Sequence, residues 1–189
     1  MLKFAGCTEK KAFAMEHIRL TDTSHRLFPE AWELYTNAFP LEERRPLPWQ
    51  REIMPHANYH FELILQEDAF IGILLWWGFE ELRYIEHFAT APAIRGKGYG
   101  RSILEAFGER DARPVLLEVE PPVNEINRRR IRFYEQSGFC LNQHFYQQPP
   151  YHQGQQPLTL LLMSCPNPIT AEEAATFVHQ HHPLIYRIT

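Results

Sequence analysis

The stretch Arg95-Gly96-Lys97-Gly98-Tyr99-Gly100-Arg101 puts a glycine at every second position between a strand-like run, YIEHFATAPAI, and a helix-like one, RSILEAFGER. Glycine lets a backbone approach a ligand without side-chain bulk. The first amides of a helix, at the positive end of its dipole, favour an anion, and Arg95 and Lys97 add charge. The chemistry suggested is the cradling of a diphosphate. The bland alternative is a strand-to-helix turn that holds nothing. Two nucleotide loops are excluded by spacing: no segment provides GxxxxGK[ST], and Gly96 to Gly100 reads GxGxG rather than GxGxxG.

The elements that must position this loop follow from hydrophobic periodicity. Residues 17–22 read as a strand and 27–39 as a helix, and Pro40, Pro46 and Pro48 break the next segment into short helical turns. HFELILQEDAFIGILLWWGF reads as a hairpin turning at Gln66-Glu67-Asp68, followed by a strand over 81–90. A helix is predicted over 99–110, a strand over 113–120, and a helix in NEINRRRIRFYEQSGF stopped by Gly138. CLNQHFYQQ and PLTLLLMS are two further strands, and a terminal helix opens with a Thr170/Glu173 capping box. Strand 81–90, helix 99–110 and strand 113–120 form a β-α-β unit whose strands are parallel neighbours; the rest is antiparallel.

Composition sets limits. The chain has 189 residues, enough for one domain, expected over 15–189 with residues 1–14 as an N-terminal extension. MEHIRLTD, from Met15, already looks like a first strand, so Met15 is an alternative start to Met1. A net charge of -4 argues against nucleic acid as a partner. No apolar run approaches the roughly 20 residues of a membrane-spanning helix, so no membrane partner is expected. Cys7, Cys140 and Cys165 show no CxxC and no pairing rhythm, which fits a reduced, cytoplasmic setting.

Two segments carry a family resemblance. TAPAIRGKGYGRSIL resembles the acetyl-CoA-binding segment of the GNAT superfamily of N-acetyltransferases, with Arg95, Gly98 and Gly100 at the positions of its R/Q-x-x-G-x-G/A signature. NRRRIRFYEQSGF resembles the second signature, with Asn127, Tyr134, Gly138 and Phe139 at its spacings. Arg130 departs from the small alanine common there. The resemblance spans roughly residues 17–163 and includes the order of elements. It implies an α/β (α+β) fold: a mixed, mostly antiparallel, twisted sheet of about seven strands with helices on both faces. The central parallel pair would be splayed to admit acetyl-CoA. The oligomeric state, monomer or homodimer, is left open.

The resemblance further implies the cosubstrate, acetyl-CoA, with no metal, and a first set of site residues. The diphosphate would sit on the amides of Gly96, Lys97, Gly98, Tyr99, Gly100 and Arg101, and the pantetheine arm would pair with the backbone of Phe88, Ala89 and Thr90. Asn127 would hydrogen-bond the pantetheine or diphosphate region, and Tyr134 would protonate the departing thiolate. A primary amine with a pKa of about 10.4 is only about one part in a thousand neutral at pH 7, so a base is useful. Glu86 is the first candidate, read by period-2 alternation onto one strand face with Tyr84, Phe88 and Thr90. Glu118 and Glu120 on the neighbouring strand are the reserves. The expected function is transfer of an acetyl group to a primary amine by direct attack. The alternative is a catalytically inactive acyl-CoA-binding sensor.

Other signals have bland readings beside the functional ones. Glu42 and Glu43, in PLEERRP, would with Glu86 and Glu118 suit a cationic amine acceptor, or form only a solvated turn. The run Arg128, Arg129, Arg130, Arg132 reads as a solvated helix face, with a CoA phosphate as the functional option. Trp76, Trp77 and Phe79 read as the core and rim of a strand, with the lining of an acceptor cleft by one face as the functional option. HQHH at 179–182 lacks a partnering ligand pattern for zinc.

Overall fold

The computed structural model describes residues 15–152 and 154–187, so the expected extension over 1–14, with Cys7, lies outside the described residues. Eight strands form the sheet: β1 (Met15–Leu20), β2 (Tyr59–Gln66), β3 (Ala69–Gly78), β4 (Arg83–Thr90), β5 (Val115–Val119), β6 (Cys140–Leu141), β7 (Tyr146–Gln148) and β8 (Leu158–Cys165). Their order is β1-β2-β3-β4-β5-β8-β6, with β7 also on β8. β4 and β5 pair in parallel, and the other pairings are antiparallel. The helices are α1 (Phe28–Ala38), α2 (Leu47–Ile53), α3 (Tyr99–Gly108), α4 (Glu125–Gln136) and α5 (Ala171–Tyr186).

The single strand expected over 140–148 is two, which makes eight strands rather than about seven. Asn142 interrupts it. Its amide nitrogen donates to the Leu162 carbonyl at 3.2 Å and to Ser164 Oγ at 3.0 Å, and its side-chain oxygen accepts from the Ile169 amide at 3.0 Å. An asparagine that offers the backbone such bonds competes with the ladder. The hairpin between β2 and β3 closes through Glu67 and Asp68, with φ of 49° and 64°. Positive φ at both central residues is the twist that suits a two-residue hairpin. Thr170 and Glu173 make the expected reciprocal cap on α5.

Each face of the sheet carries its own core. Phe28, Ala31 and Tyr35 of α1 and Ala174, Phe177 and Ile185 of α5 pack with Phe61, Leu75, Trp77, Tyr84 and Leu116 on one face. Ile103, Leu104 and Phe107 of α3 and Ile131 and Tyr134 of α4 pack with Leu74, Ile85, Leu117 and Val119 on the other. Arg83, 1% exposed, ties the end of α3 to the sheet: its guanidinium donates to the carbonyls of Phe107, Gly108, Asp111 and Arg113.

Two irregularities shape the centre of the sheet. The β3–β4 register passes from Trp76↔Ile85 to Leu75↔His87, so Glu86 is an extra, bulged residue of β4. The parallel ladder of β4 and β5 runs only through Arg83↔Val115, Tyr84↔Leu116 and Ile85↔Leu117. Beyond it the strands separate, while β5 stays paired to β8 as far as Val119↔Leu161.

Candidate active site

A cavity of about 1070 Å³ fills the gap where β4 and β5 part. Its walls come from both faces of the sheet. Asn37, Phe39, Glu43, His87, Glu118 and Gln148 line one side, and Arg95, Gly98, Gly100, Ile126, Phe133 and Tyr134 line the other.

The glycine loop forms the second side's rim. Gly98 caps α3 in the left-handed region, φ 85°, and its carbonyl accepts the Ser102 amide at 3.2 Å. The preceding helical amides, including those of Gly100 and Arg101, have no acceptor within the helix and face an anion's natural position. A Cβ at Gly100 would lie 3.3 Å from the Phe133 ring, so this glycine lets α3 approach α4. Arg95, Gly96, Gly98, Tyr99, Gly100 and Arg101 all line the cavity, as do Phe88, Ala89 and Thr90 of β4. Lys97 is exposed and stands outside the wall. Asn127 is also outside it: its side-chain amide donates to the Pro121 carbonyl at 2.9 Å and fixes the chain entering α4. Arg129, Arg130 and Arg132 border the cavity, although Arg130 pairs with Glu120 and Arg132 with Glu125.

The bulge corrects the face assigned to Glu86. Phe88 packs with the α3/α4 core and Thr90 reaches toward Gly100, whereas Glu86 turns to the opposite face with Tyr84 and His87. Period-2 reasoning fails here because one inserted residue reverses the alternation downstream. The Glu86 side chain is fully buried and gripped bidentately by Arg45, with N–O distances of 2.5 and 2.6 Å. Trp77 Nε1 donates to it at 3.1 Å and the Tyr151 hydroxyl at 2.5 Å. Arg45 is itself fully buried, donates to the Ile185 carbonyl at 3.0 Å, and lies 5.2 to 5.6 Å from the ring centroids of Trp49, Tyr59, Trp77 and Tyr151.

Glu118 has a different setting. It shares the α1/α5 face with Leu116, two residues earlier on β5. The Tyr146 hydroxyl donates to Oε1, the Tyr186 hydroxyl lies 3.2 Å from Oε1, and Gln148 Nε2 donates to Oε2 at 2.5 Å. Burial pushes its carboxyl up to about 7, against these donors, and the nearby Glu86 adds to the rise. No guanidinium pairs with it among the described residues. Glu43 lines the same side, and burial, with Glu120 nearby, raises its carboxyl too.

Tyr134 stands across the gap. It packs edge-on against Phe133 and Phe139 and makes no side-chain hydrogen bond among the described residues. Burial raises its phenol to about 12, so it keeps its proton at neutral pH. His87, in the first wall, is held neutral by burial, at about 4, and bonds the Glu43 carbonyl at 2.7 Å.

Sequence reasoning missed Arg45, Tyr146, Gln148, Tyr151, Tyr186 and His182. Arg45 sits in a proline-bounded, highly charged run that looks solvated. The available signal was the aromatic residues in the WQ and QPPY segments, which have no strand face to fill.

Comparison with known proteins agrees with this architecture. The model of the acetyltransferase (GNAT) family matches residues 24–139. A solved Bacteroides thetaiotaomicron protein assigned to the GNAT family of acetyltransferases is 37% identical, with a TM-score of 0.86 over 92% of this chain and 99% of that one. The chain therefore belongs to the GNAT acetyltransferase family. More distant structures share the fold. The ribosomal-protein-S18-alanine N-acetyltransferase of Escherichia coli is 16% identical, with a TM-score of 0.54 over 84% of this chain and 97% of that one. Arabidopsis thaliana Naa50, solved with the bisubstrate analogue CoA-Ac-MVNAL, is 17% identical, with a TM-score of 0.53 over 79% and 97%. The curated proteins searched contain no significant match.

Proposed function

We propose that this chain transfers the acetyl group of acetyl-CoA to a primary amine by direct attack, with Glu118 as the base and Tyr134 as the acid. The observation that carries the reading is the cavity through the β4–β5 gap, with α3 amides at one end and an unpaired carboxylate near neutrality at the other. The likeness to proteins solved with CoA or a CoA conjugate supports the donor.

The diphosphate would rest on the start of α3, and the pantetheine would pair with the free edge of β4 over 86–90. Glu118 takes a proton from the incoming ammonium. The neutral amine attacks the thioester carbon, the C–N bond forms, and the nitrogen gives up its second proton to water, Glu118 already holding the first. The C–S bond then breaks and the sulfur leaves as thiolate. Tyr134 is matched to that last step. A thiolate, whose thiol has a pKa of about 8.5, is a weaker base than a phenolate. Tyr134 therefore donates a hydrogen bond as charge develops and releases its proton only late.

Glu118 replaces Glu86 as our first choice of base because Glu86 is occupied by Arg45, Trp77 and Tyr151. Glu43 and Glu118 on the acceptor side favour a cationic amine without an adjacent carboxylate. The test is amine-dependent thiol release: purified protein, acetyl-CoA and a panel of small amines, polyamines, amino acids and peptides, with free CoA followed by a thiol reagent. Release with at least one amine is expected. Acetyl-CoA binding without release would indicate an acyl-CoA sensor, and absence of binding would overturn both.

A further inference from the structure

We propose that His182 is a positioning residue that keeps Glu118 hydrogen-bonded in both of its protonation states, by carrying its ring proton on Nε2 when Glu118 is ionised and on Nδ1 when Glu118 is protonated. The proposal rests on the reading of Glu118 as the base.

The geometry is a three-membered chain. Tyr146, 2% exposed, donates to Glu118 on one side, and its hydroxyl lies 2.9 Å from His182 Nε2 on the other. A phenol has one proton and can also accept. When Glu118 is ionised, Tyr146 donates to it and the phenol oxygen accepts from a protonated Nε2. When Glu118 carries a proton, its O–H donates to the phenol oxygen, and the phenol proton then needs an acceptor. Nε2 is that acceptor once the ring proton sits on Nδ1; on ionisation the Glu118 proton passes to Tyr146, the Tyr146 proton to Nε2, and Nδ1 gives its proton to solvent. A neutral imidazole can do both, because each ring nitrogen donates in one tautomer and accepts in the other.

Packing holds the ring in place for this. Its centroid lies 5.5 Å from Phe177, 5.6 Å from Tyr146 and 5.0 Å from Tyr186, all nearly perpendicular. Burial keeps His182 neutral, lowering it to about 4. The titratable groups facing the chain are few. Glu118 faces Tyr84 and Glu86 from β4, Tyr146 from β7 and Tyr186 from α5. Glu86 is neutralised by Arg45, and burial raises all three phenols well above their ordinary value. His182 also faces His181, whose ring bonds Glu81 at 2.6 Å. Of the groups in direct hydrogen-bond contact along the chain, Glu118 and His182 are the two that can exchange protonation or tautomer while Tyr146 stays a phenol. The histidine run 179–182, read from sequence as unsuited to zinc, gains a role from the cavity side.

The test uses the full chain without any acceptor. The 15N shifts of the His182 ring and the 13C shift of the Glu118 carboxyl are followed from about pH 5 to 8.5, a range that brackets a carboxyl near 7. The ring is expected to pass from Nδ1–H to Nε2–H with the same midpoint as Glu118. A fixed tautomer while Glu118 titrates, an imidazolium across the range, or a Glu118 that does not titrate would each overturn the proposal. Variants add a second readout. His182→Gln, whose amide can donate or accept, is expected to keep the Glu118 midpoint. His182→Phe is expected to raise it by about half a pH unit or more, because the ionised form loses the stronger, charge-assisted support. Equal midpoints in the two variants would count against the proposal. Thiol release is scored separately, so an inactive protein with the tautomer switch, or an active one without it, is recognisable.

Discussion

Glu86 and Glu118 stand at corresponding positions of β4 and β5, one step beyond the last parallel pair, Ile85↔Leu117, and only Glu86 has an arginine. Two carboxylates so placed would repel each other. The buried Arg45 cancels one, and the remaining carboxylate, raised to about 7, is left as the group that titrates near neutrality.

Glu118→Gln should lower kcat/KM by about 10²–10⁴-fold and remove the acid limb near pH 7, with acetyl-CoA affinity little changed. It should also stabilise the fold. The folded carboxyl titrates near 7 against an ordinary 4.5, so the native state keeps its proton longer than the unfolded one. The resulting cost is absent below about pH 4.5, grows as pH rises to about 7, and is fully present above. Urea titrations should show the variant more stable at pH 8, by up to ~3 kcal/mol, and the gain shrinking toward pH 4.5.

Arg45→Met should destabilise the protein by about 3–5 kcal/mol, since it leaves the Glu86 carboxylate buried and uncompensated. Adding Glu86→Gln should recover a substantial part of that loss. Urea unfolding of the wild type, both single variants and the double variant measures the coupling. Additive losses would show that the pair is not the link between α5, the 40–46 segment and β4 that the structure draws.

Tyr134→Phe should reduce kcat by about 10²-fold while the KM for acetyl-CoA stays near that of the wild type. The phenyl ring keeps the contacts with Phe133 and Phe139, so thermal stability should hardly move. An unchanged kcat would remove Tyr134 from the acid role.

Gly98→Ala should strain the cap of α3, where φ is 85°, by about 1–2 kcal/mol. The space around it is open, so the cost is backbone strain and not collision. Isothermal titration should show weaker acetyl-CoA binding, and the KM for the acceptor amine should be unaffected.

Acid should weaken the fold through histidines that are buried or half-buried. Burial lowers His60, His87 and His182 to about 4. Their folded values lie below the ordinary 6.5, so the stability they contribute is complete above that pH and is lost as pH falls from about 6.5 toward 4. Urea midpoints measured over this range should fall. His60→Phe, which retains an aromatic partner for the Trp76 ring 3.8 Å away, should make the fall shallower.

The element order was legible because each helix and strand carries its own period, and the strand-glycine-helix turn at 95–101 reads locally. The bulge at Glu86 was not, since it exists only in the pairing of β4 with β3. Arg45 was hidden for a related reason. Nothing within PLEERRP says that four aromatic rings from Trp49, Tyr59, Trp77 and Tyr151 converge on one guanidinium. Tyr146 meets Glu118 from a segment 28 residues away in the chain, and His182 reaches Tyr146 from 36 residues further on, distances at which no periodicity survives. Both lie beyond residue 139, where the match to the family model ends.

The gap between β4 and β5 is a passage through the sheet, with Tyr134 on one side and Glu118 on the other. Traffic through such a passage need not queue. If donor and acceptor approach from opposite faces, as the proposed function has it, neither blocks the other's arrival, and the architecture imposes no order of addition. Intersecting initial-velocity lines are the kinetic form of that geometry. On that reading the two sides can also diverge separately, because substitutions that reshape the proposed acceptor wall lie across the sheet from those that would hold the donor.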